Sequence, residues 1–127
     1  MSISRLEAVL ASIDSKADSA LTKLDQAAEF ASRSEHLEVE GESEDRLARV
    51  SVDGTGQVQS LVIDDGFTDA TAAQLAGSVM EAMRQAQGRL SFRIDQLGAE
   101  IYGEGSPAVE AFTTSYRNRY GYEEVPE

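Results

Sequence analysis

Apolar side chains near the start of the chain fall at Ile3, Leu6, Leu10, Ile13, Ala17, Ala20, Leu24, Ala27 and Ala31, at spacings that alternate three and four. A sustained 3.5-residue period marks a helix whose apolar seam faces a second helix. No glycine or proline interrupts the first 40 residues, and Val9, Leu21 and Phe30 widen the stripe, so the pattern predicts one long amphipathic helix. At 1.5 Å per residue, residues 3 to 31 reach about 42 Å. A rod of that length outgrows a small monomeric core. Its partner can be an antiparallel helix of the same chain or a second copy, and the alanines of the seam admit close approach.

Past Ser34 the period changes to two, over three short segments. From His36 to Glu42, Leu37 and Val39 alternate with Glu38, Glu40 and Glu42. From Leu47 to Asp53, Ala48, Val50 and Val52 share one face, with Arg49, Ser51 and Asp53 opposite. The third segment, Gln57 to Asp64, ends in Leu61, Val62 and Ile63 and is apolar on both faces. That predicts burial on both sides, one against the helices and one against a second sheet or subunit. Asp53-Gly54-Thr55-Gly56 supplies a short turn with two permissive positions, which joins the second and third strands as an antiparallel hairpin.

Asp64-Asp65-Gly66 closes the sheet, and Thr71 with Gln74 has the spacing of a capping box. The helix that follows carries Leu75, Val79, Ala82, Ala86, Leu90, Ile94, Leu97 and Ile101 on its stripe, with Met83 beside it. Gly77, Gly88 and Gly98 each cost about 1 kcal/mol relative to alanine inside a helix, so close packing must compensate if the helix is unbroken. Gly103-Glu104-Gly105 is a break. Ser106-Pro107 then caps a short third helix with Val109, Phe112, Tyr116 and Tyr120 on one side, and residues 123 to 127 are expected to fray. The fold expected is α+β: long helix, three-stranded antiparallel meander, long helix, short C-terminal helix.

The 127 residues are 41% hydrophobic and 27% charged, which suits one domain with its own core. The absence of cysteine excludes disulfides, thiolate metal ligands and cysteine nucleophiles, and points to the cytoplasm. No apolar run spans a membrane, and the N-terminus lacks a secretory signal's layout. Acids outnumber bases 23 to 11, a net charge of −12, so the field of the whole molecule repels polyanions.

Candidate chemistry is sparse. His36 is the one histidine, so a histidine pair for zinc cannot form, and no Gly-x-Ser-x-Gly elbow occurs. Gly54-Thr55-Gly56 lies between strands, where a phosphate-binding loop requires a strand followed by a helix. Glu38, Glu40, Glu42, Glu44 and Asp45 form a solvated outer face that protects a sheet edge, and Asp64, Asp65 and Asp69 read as turn and cap residues. No base, nucleophile and oxyanion set can be assembled, so no enzyme, cofactor, metal or small-molecule substrate is expected. Arg89 and Arg93 are four apart on the second long helix, Arg84 broadens their strip, and Lys16 and Lys23 share a heptad position on the first. These five are the candidate phosphate contacts. Five of the eight aromatics, Tyr102, Phe112, Tyr116, Tyr120 and Tyr122, lie in the last 26 residues. They pack on the long helices, or Phe112, Tyr116 and Tyr120 offer a docking surface to a helical protein partner. Tyr120 and Glu124 also have the Tyr-x-x-x-acid spacing of type VII secretion substrates, of which about 0.7 matches arise by chance in this composition.

The run Leu47-Ala-Arg-Val-Ser-Val-Asp-Gly-Thr-Gly-Gln-Val-Gln-Ser-Leu-Val-Ile-Asp-Asp-Gly66, followed by Val79-Met-Glu-Ala-Met-Arg-Gln-Ala86, resembles the YbaB/EbfC family of small bacterial nucleoid-associated proteins. The shared pattern is a Val-x-Val strand, a glycine turn, a strand ending near Ile-Asp and a helix with an Ala-x-x-x-Ala step, here Ala82 and Ala86. The resemblance implies an α-β-β-β-α protomer over residues 1–103 and a tweezer-shaped homodimer joined through the sheet region; the aromatic and acidic extension over 104–127 departs from the family pattern. Val58, Leu61, Val62, Ile63, Val79, Ala82 and Ala86 are the interface residues expected. It further implies non-enzymatic binding of duplex DNA with weak sequence preference, in the cytoplasm at the nucleoid. Similar divergent proteins beside type VII secretion genes supply the rival, a protein-binding or chaperone-like accessory module that holds a helical partner through the aromatic tail or the helix seams.

Overall fold

A computed structural model describes residues 2–125, with side chains from residue 4 onward. The elements run α1 (Ser2–Glu35), β1 (Glu38–Glu42), β2 (Ala48–Asp53), β3 (Val58–Ile63), a 3-10 turn (Asp65–Asp69), α2 (Ala72–Tyr102) and α3 (Pro107–Tyr120). The expected α+β order is present. Ile3, the first seam residue, has a side chain outside the described set.

The three strands form one antiparallel sheet in the order β1-β2-β3. Glu42 stands opposite Arg49 and Val39 opposite Val52, so the two inward faces meet in register. Between β2 and β3 the register shifts: Ser51 faces Ser60 while Val52 faces Val58, which leaves Gln59 as the extra residue of a bulge. The bulge sets Val58, Leu61 and Ile63 on one face of β3, and Val62 on the other.

α2 lies across β1 and β2. Ala82, Ala86, Leu90 and Ile94 meet Val39, Ala48, Val50 and Val52 in a core whose members are at most 5% exposed. Burying Val50, Val52, Leu90 and Ile94 contributes roughly 1.5–3 kcal/mol for each side chain. The contact is tightest at Gly41 of β1, where a Cβ would stand 2.2 Å from the Ala82 carbonyl oxygen and 2.5 Å from the Ala86 nitrogen. Small residues on both sides are what let helix and strand backbones touch. Ala82 and Ala86, expected at a dimer interface, are therefore used inside the protomer.

α2 begins at a complete capping box: the Thr71 hydroxyl accepts from the Gln74 N–H and the Gln74 side chain accepts from the Thr71 N–H. It then runs unbroken through its three glycines. Two of these receive the C-terminal segment. A Cβ on Gly98 would lie 2.8 Å from the Phe112 ring, and Gly88 accepts the Glu123 N–H at 3.0 Å through its carbonyl. Gly77 has open space around it.

α1 runs antiparallel to α2 but meets it only near its own end. Gln26 donates to the Ile101 carbonyl at 3.2 Å and Phe30 lies against Tyr102 with ring centroids 6.2 Å apart, while its ring also stacks on Phe112 of α3 at 4.4 Å. Every residue from Ser4 to Asp25 is exposed. The antiparallel partner expected within the chain therefore covers the final turns of α1 alone.

Candidate nucleic-acid interface

Two of the expected phosphate contacts are brought together. Arg89 and Arg93 are one turn apart on α2 and line a shared hollow of about 320 Å³ with Glu38, Val39, Glu40 and Val125. Arg93 is exposed and makes no ion pair among the described residues. Arg89 is half-buried: one terminal nitrogen donates to the Glu40 carbonyl at 3.2 Å, while its Nε is buried without an acceptor.

Arg84 does not join them. It is exposed, but nine residues separate it from Arg93, and at about 100° per residue that is roughly half a turn around the helix. The expected three-residue strip is thus two residues and an outlier. Lys16 and Lys23 are both exposed on the free part of α1. They share a face at their seven-residue spacing, beyond the end of α2, and stand apart from the arginine pair.

Two further arginines extend the pair. Arg49 lines a hollow of about 390 Å³ with Glu40, Gly41, Glu42, Gln85 and Arg89. Arg33 lines another of about 530 Å³ that includes Leu37, Arg93, Gln96 and Glu100. The four cations therefore follow the β1 edge and α2 in the order Arg49, Arg89, Arg93, Arg33. Sequence reasoning did not group them, because no local period links a strand, the end of one helix and the middle of another.

The groove is not simply positive. Arg49 pairs with Glu42 at 3.1 Å, and Arg33 pairs with Glu100 and with Glu29, the latter at 3.5 Å. The Glu100 carboxylate, helped by Glu29, holds the Arg33 guanidinium above its ordinary pKa. The acidic run of β1 is thus partly paired: Glu38 accepts from the Ser51 hydroxyl at 2.9 Å, and Asp45 accepts from the Ser43 and Ser78 hydroxyls and the Leu47 N–H. These hydrogen bonds, the one from Ser78 foremost, hold Asp45 below its ordinary pKa. His36 is exposed and its Nδ1–H donates to the Ser32 carbonyl at 2.7 Å, which caps the end of α1.

The aromatic tail folds back. Tyr116 donates to the Gly54 carbonyl at 2.9 Å and Tyr120 to the Thr55 carbonyl at 2.6 Å, so both hydroxyls close on the β2-β3 turn. Burial raises the Tyr116 hydroxyl above its ordinary pKa. Phe112 fills the space between Phe30, Tyr102 and Gly98. Tyr122 packs edge-on against Phe92, under the Arg117 guanidinium at 4.0 Å. Phe112, Tyr116 and Tyr120 are all half-buried against their own chain. The docking surface expected of them is turned inward, and the frayed end expected at 123 is anchored by Glu123 and half-buried Val125. Residues 126 and 127 lie outside the described set.

The expected interface residues divide in the same way. Val58, Leu61 and Val62 of β3 are 46%, 49% and 55% exposed, Ile63 and Val79 are half-buried, and Ala82 and Ala86 are buried. β3 is a sheet edge that α2 leaves uncovered.

A helix-backed antiparallel sheet with a cation-bearing helix face and an apolar strand edge has the build of a binding module. The chain matches the YbaB/EbfC DNA-binding family over residues 14–104, and it belongs to that family. The match ends where α3 and the docked tail begin. No single curated protein matches the chain. Among the described residues no helix is long and apolar enough to cross a membrane, and no cluster of acids and histidine suits a metal ion.

Proposed function

We propose that the protein binds duplex DNA as a homodimer, without catalysis or cofactor, with weak sequence preference, in the cytoplasm at the nucleoid. The observation that supports this reading is the pairing of Arg89 and Arg93 on one face of α2 in a chain of a DNA-binding family. Arg93 is exposed and takes a phosphate directly; Arg84, Lys16 and Lys23 are outlying contacts that reach other phosphates of the same duplex. Phosphate contacts read no base edges, which gives the weak sequence preference.

The β3 edge supplies the second copy. Val58, Leu61 and Val62 place apolar side chains on both faces of a strand whose outer hydrogen-bonding edge is unpaired, and a two-fold axis beside it covers them with the same residues of the partner. Dimerisation doubles the cations and lets two weak groove contacts act together. The gain is one of avidity, since the acids double as well, from a net charge of −12 on each chain.

A gel shift on duplex DNA at low and moderate salt tests the reading. Binding at low salt that weakens steeply as salt rises is the expected result. The Arg89→Glu, Arg93→Glu double variant should lose it; no shift by the unaltered protein at low salt rejects the proposal.

A further inference from the structure

The free part of α1 carries a seam that no other described residue covers. Leu6, Leu10, Ile13 and Leu24 lie on the seam and are 58%, 52%, 55% and 66% exposed; Val9 and Leu21 beside it are 49% and 59% exposed. A stripe of that size on a solvated helix is unfavourable alone, and such patches mark interaction surfaces. The exposed residues of β3 belong to the sheet, whereas this arm projects past the C-terminal end of α2, where Gln26 meets Ile101.

The charges beside the seam say what covers it. In the heptad set by Leu6, Leu10, Ile13, Ala17, Ala20 and Leu24, the flanking position on one edge holds Glu7, Asp14 and Leu21. The other edge holds Val9, Lys16 and Lys23. One edge is acidic, the other basic. A second copy laid antiparallel opposes each edge with its like, acid with acid and lysine with lysine. Laid parallel, flanking positions meet five residues apart, so Lys16 faces Leu21, Lys23 faces Ala28 and Asp14 faces Val9. Neither arrangement makes an ion pair between copies. Ala17 and Ala20 also leave the middle of a self-paired seam thin.

We infer that residues 4–25 of α1 form a docking helix for a helical segment of a different protein. That segment carries large apolar residues over Ala17 and Ala20, acids along the edge facing Lys16 and Lys23, and bases along the edge facing Glu7 and Asp14. The exposed leucine and isoleucine side chains carry the inference; it shares only the outlying Lys16 and Lys23 with the proposed DNA contacts and leaves Arg89 and Arg93 free for phosphate.

The test uses the full chain and two labelled synthetic helices of three heptads with the same leucine seam. One has glutamate at each flanking position that faces the lysine edge in antiparallel pairing and lysine at each that faces the acidic edge. The other has glutamine at all of them. Fluorescence anisotropy, at peptide concentrations below self-association, should show the charged helix binding about tenfold more tightly, as expected of four ion pairs of modest strength. The Lys16→Glu, Lys23→Glu variant, checked for helix content by circular dichroism, should abolish that preference. Equal binding of the two peptides, or binding of neither, overturns the inference. So does light scattering that shows Leu10→Glu with Ile13→Glu to reduce the protein's own oligomeric state, since the occupant is then a second copy.

Discussion

The Tyr116 hydroxyl donates to the carbonyl oxygen of Gly54 at 2.9 Å, across 62 residues of chain. It ties α3, which lies beyond the family match, to the β2-β3 turn within it. Removing the hydroxyl in Tyr116→Phe leaves the carbonyl of buried Gly54 without that donor and is expected to cost roughly 1 kcal/mol. Chemical denaturation measures it. Deleting residues 104–127 should cost far more, because Phe30, Gly98 and the turn all lose their cover.

The glycines separate by environment. Gly41→Ala places a methyl group against the backbone at Ala82 and Ala86, and the forced separation of β1 from α2 is expected to cost about 3 kcal/mol. Gly77→Ala adds a methyl group in open space inside a helix, so it should stabilise the protein by roughly 1 kcal/mol. Opposite shifts of the thermal midpoint are the expected signature.

Pairing through β3 predicts that Leu61→Lys with Val62→Lys gives a folded monomer. Both side chains are about half exposed in the single chain, so the substitutions remove little internal packing. Size-exclusion chromatography with light scattering checks the mass. A dimer that survives the pair of lysines places the interface elsewhere.

Stability should fall on the acid side. Asp53 accepts from Thr55 through both its hydroxyl and its N–H, and from the Gln57 N–H, and these bonds hold its pKa below the ordinary value, as the Ser78 and Ser43 hydroxyls do for Asp45. A folded pKa below the unfolded one means stability that is fully present above the ordinary aspartate range and is lost as pH falls through the folded value. Asp45→Asn and Asp53→Asn should each flatten the acid limb of a plot of denaturation midpoint against pH. An unchanged limb in both variants rejects these two groups as its source.

The docked tail should weaken DNA binding. Val125 lines the same hollow as Arg89 and Arg93, and Glu123 is fixed to Gly88 on that helix face. Replacing Glu123 and Glu124 by glutamine removes two negative charges near the cations and should tighten binding about threefold at low salt. The gain should vanish at high salt, where such charges are screened.

The order of elements was determined by local periodicity alone. A 3.5-residue repeat from Leu6 to Ala31, two-residue alternation around Val50, and the Thr71 and Gln74 pair each express a preference complete within a few residues, so no distant contact was needed to read them. The family resemblance rested on the same local pattern between Leu47 and Ala86. Groupings that span the chain were decided by tertiary structure. Gly41 against Ala82, Gly98 against Phe112, and Arg49 and Arg33 in line with Arg89 and Arg93 each depend on which faces of separate elements are pressed together. The separation of Arg84 from Arg93 was readable from helix geometry, whereas the inward turn of Phe112, Tyr116 and Tyr120 was not. An aromatic residue on an amphipathic helix has the same sequence signature whether its apolar face meets its own chain or another. Only the glycine gaps on α2 and the open carbonyls of the β2-β3 turn, assembled in three dimensions, decide between them.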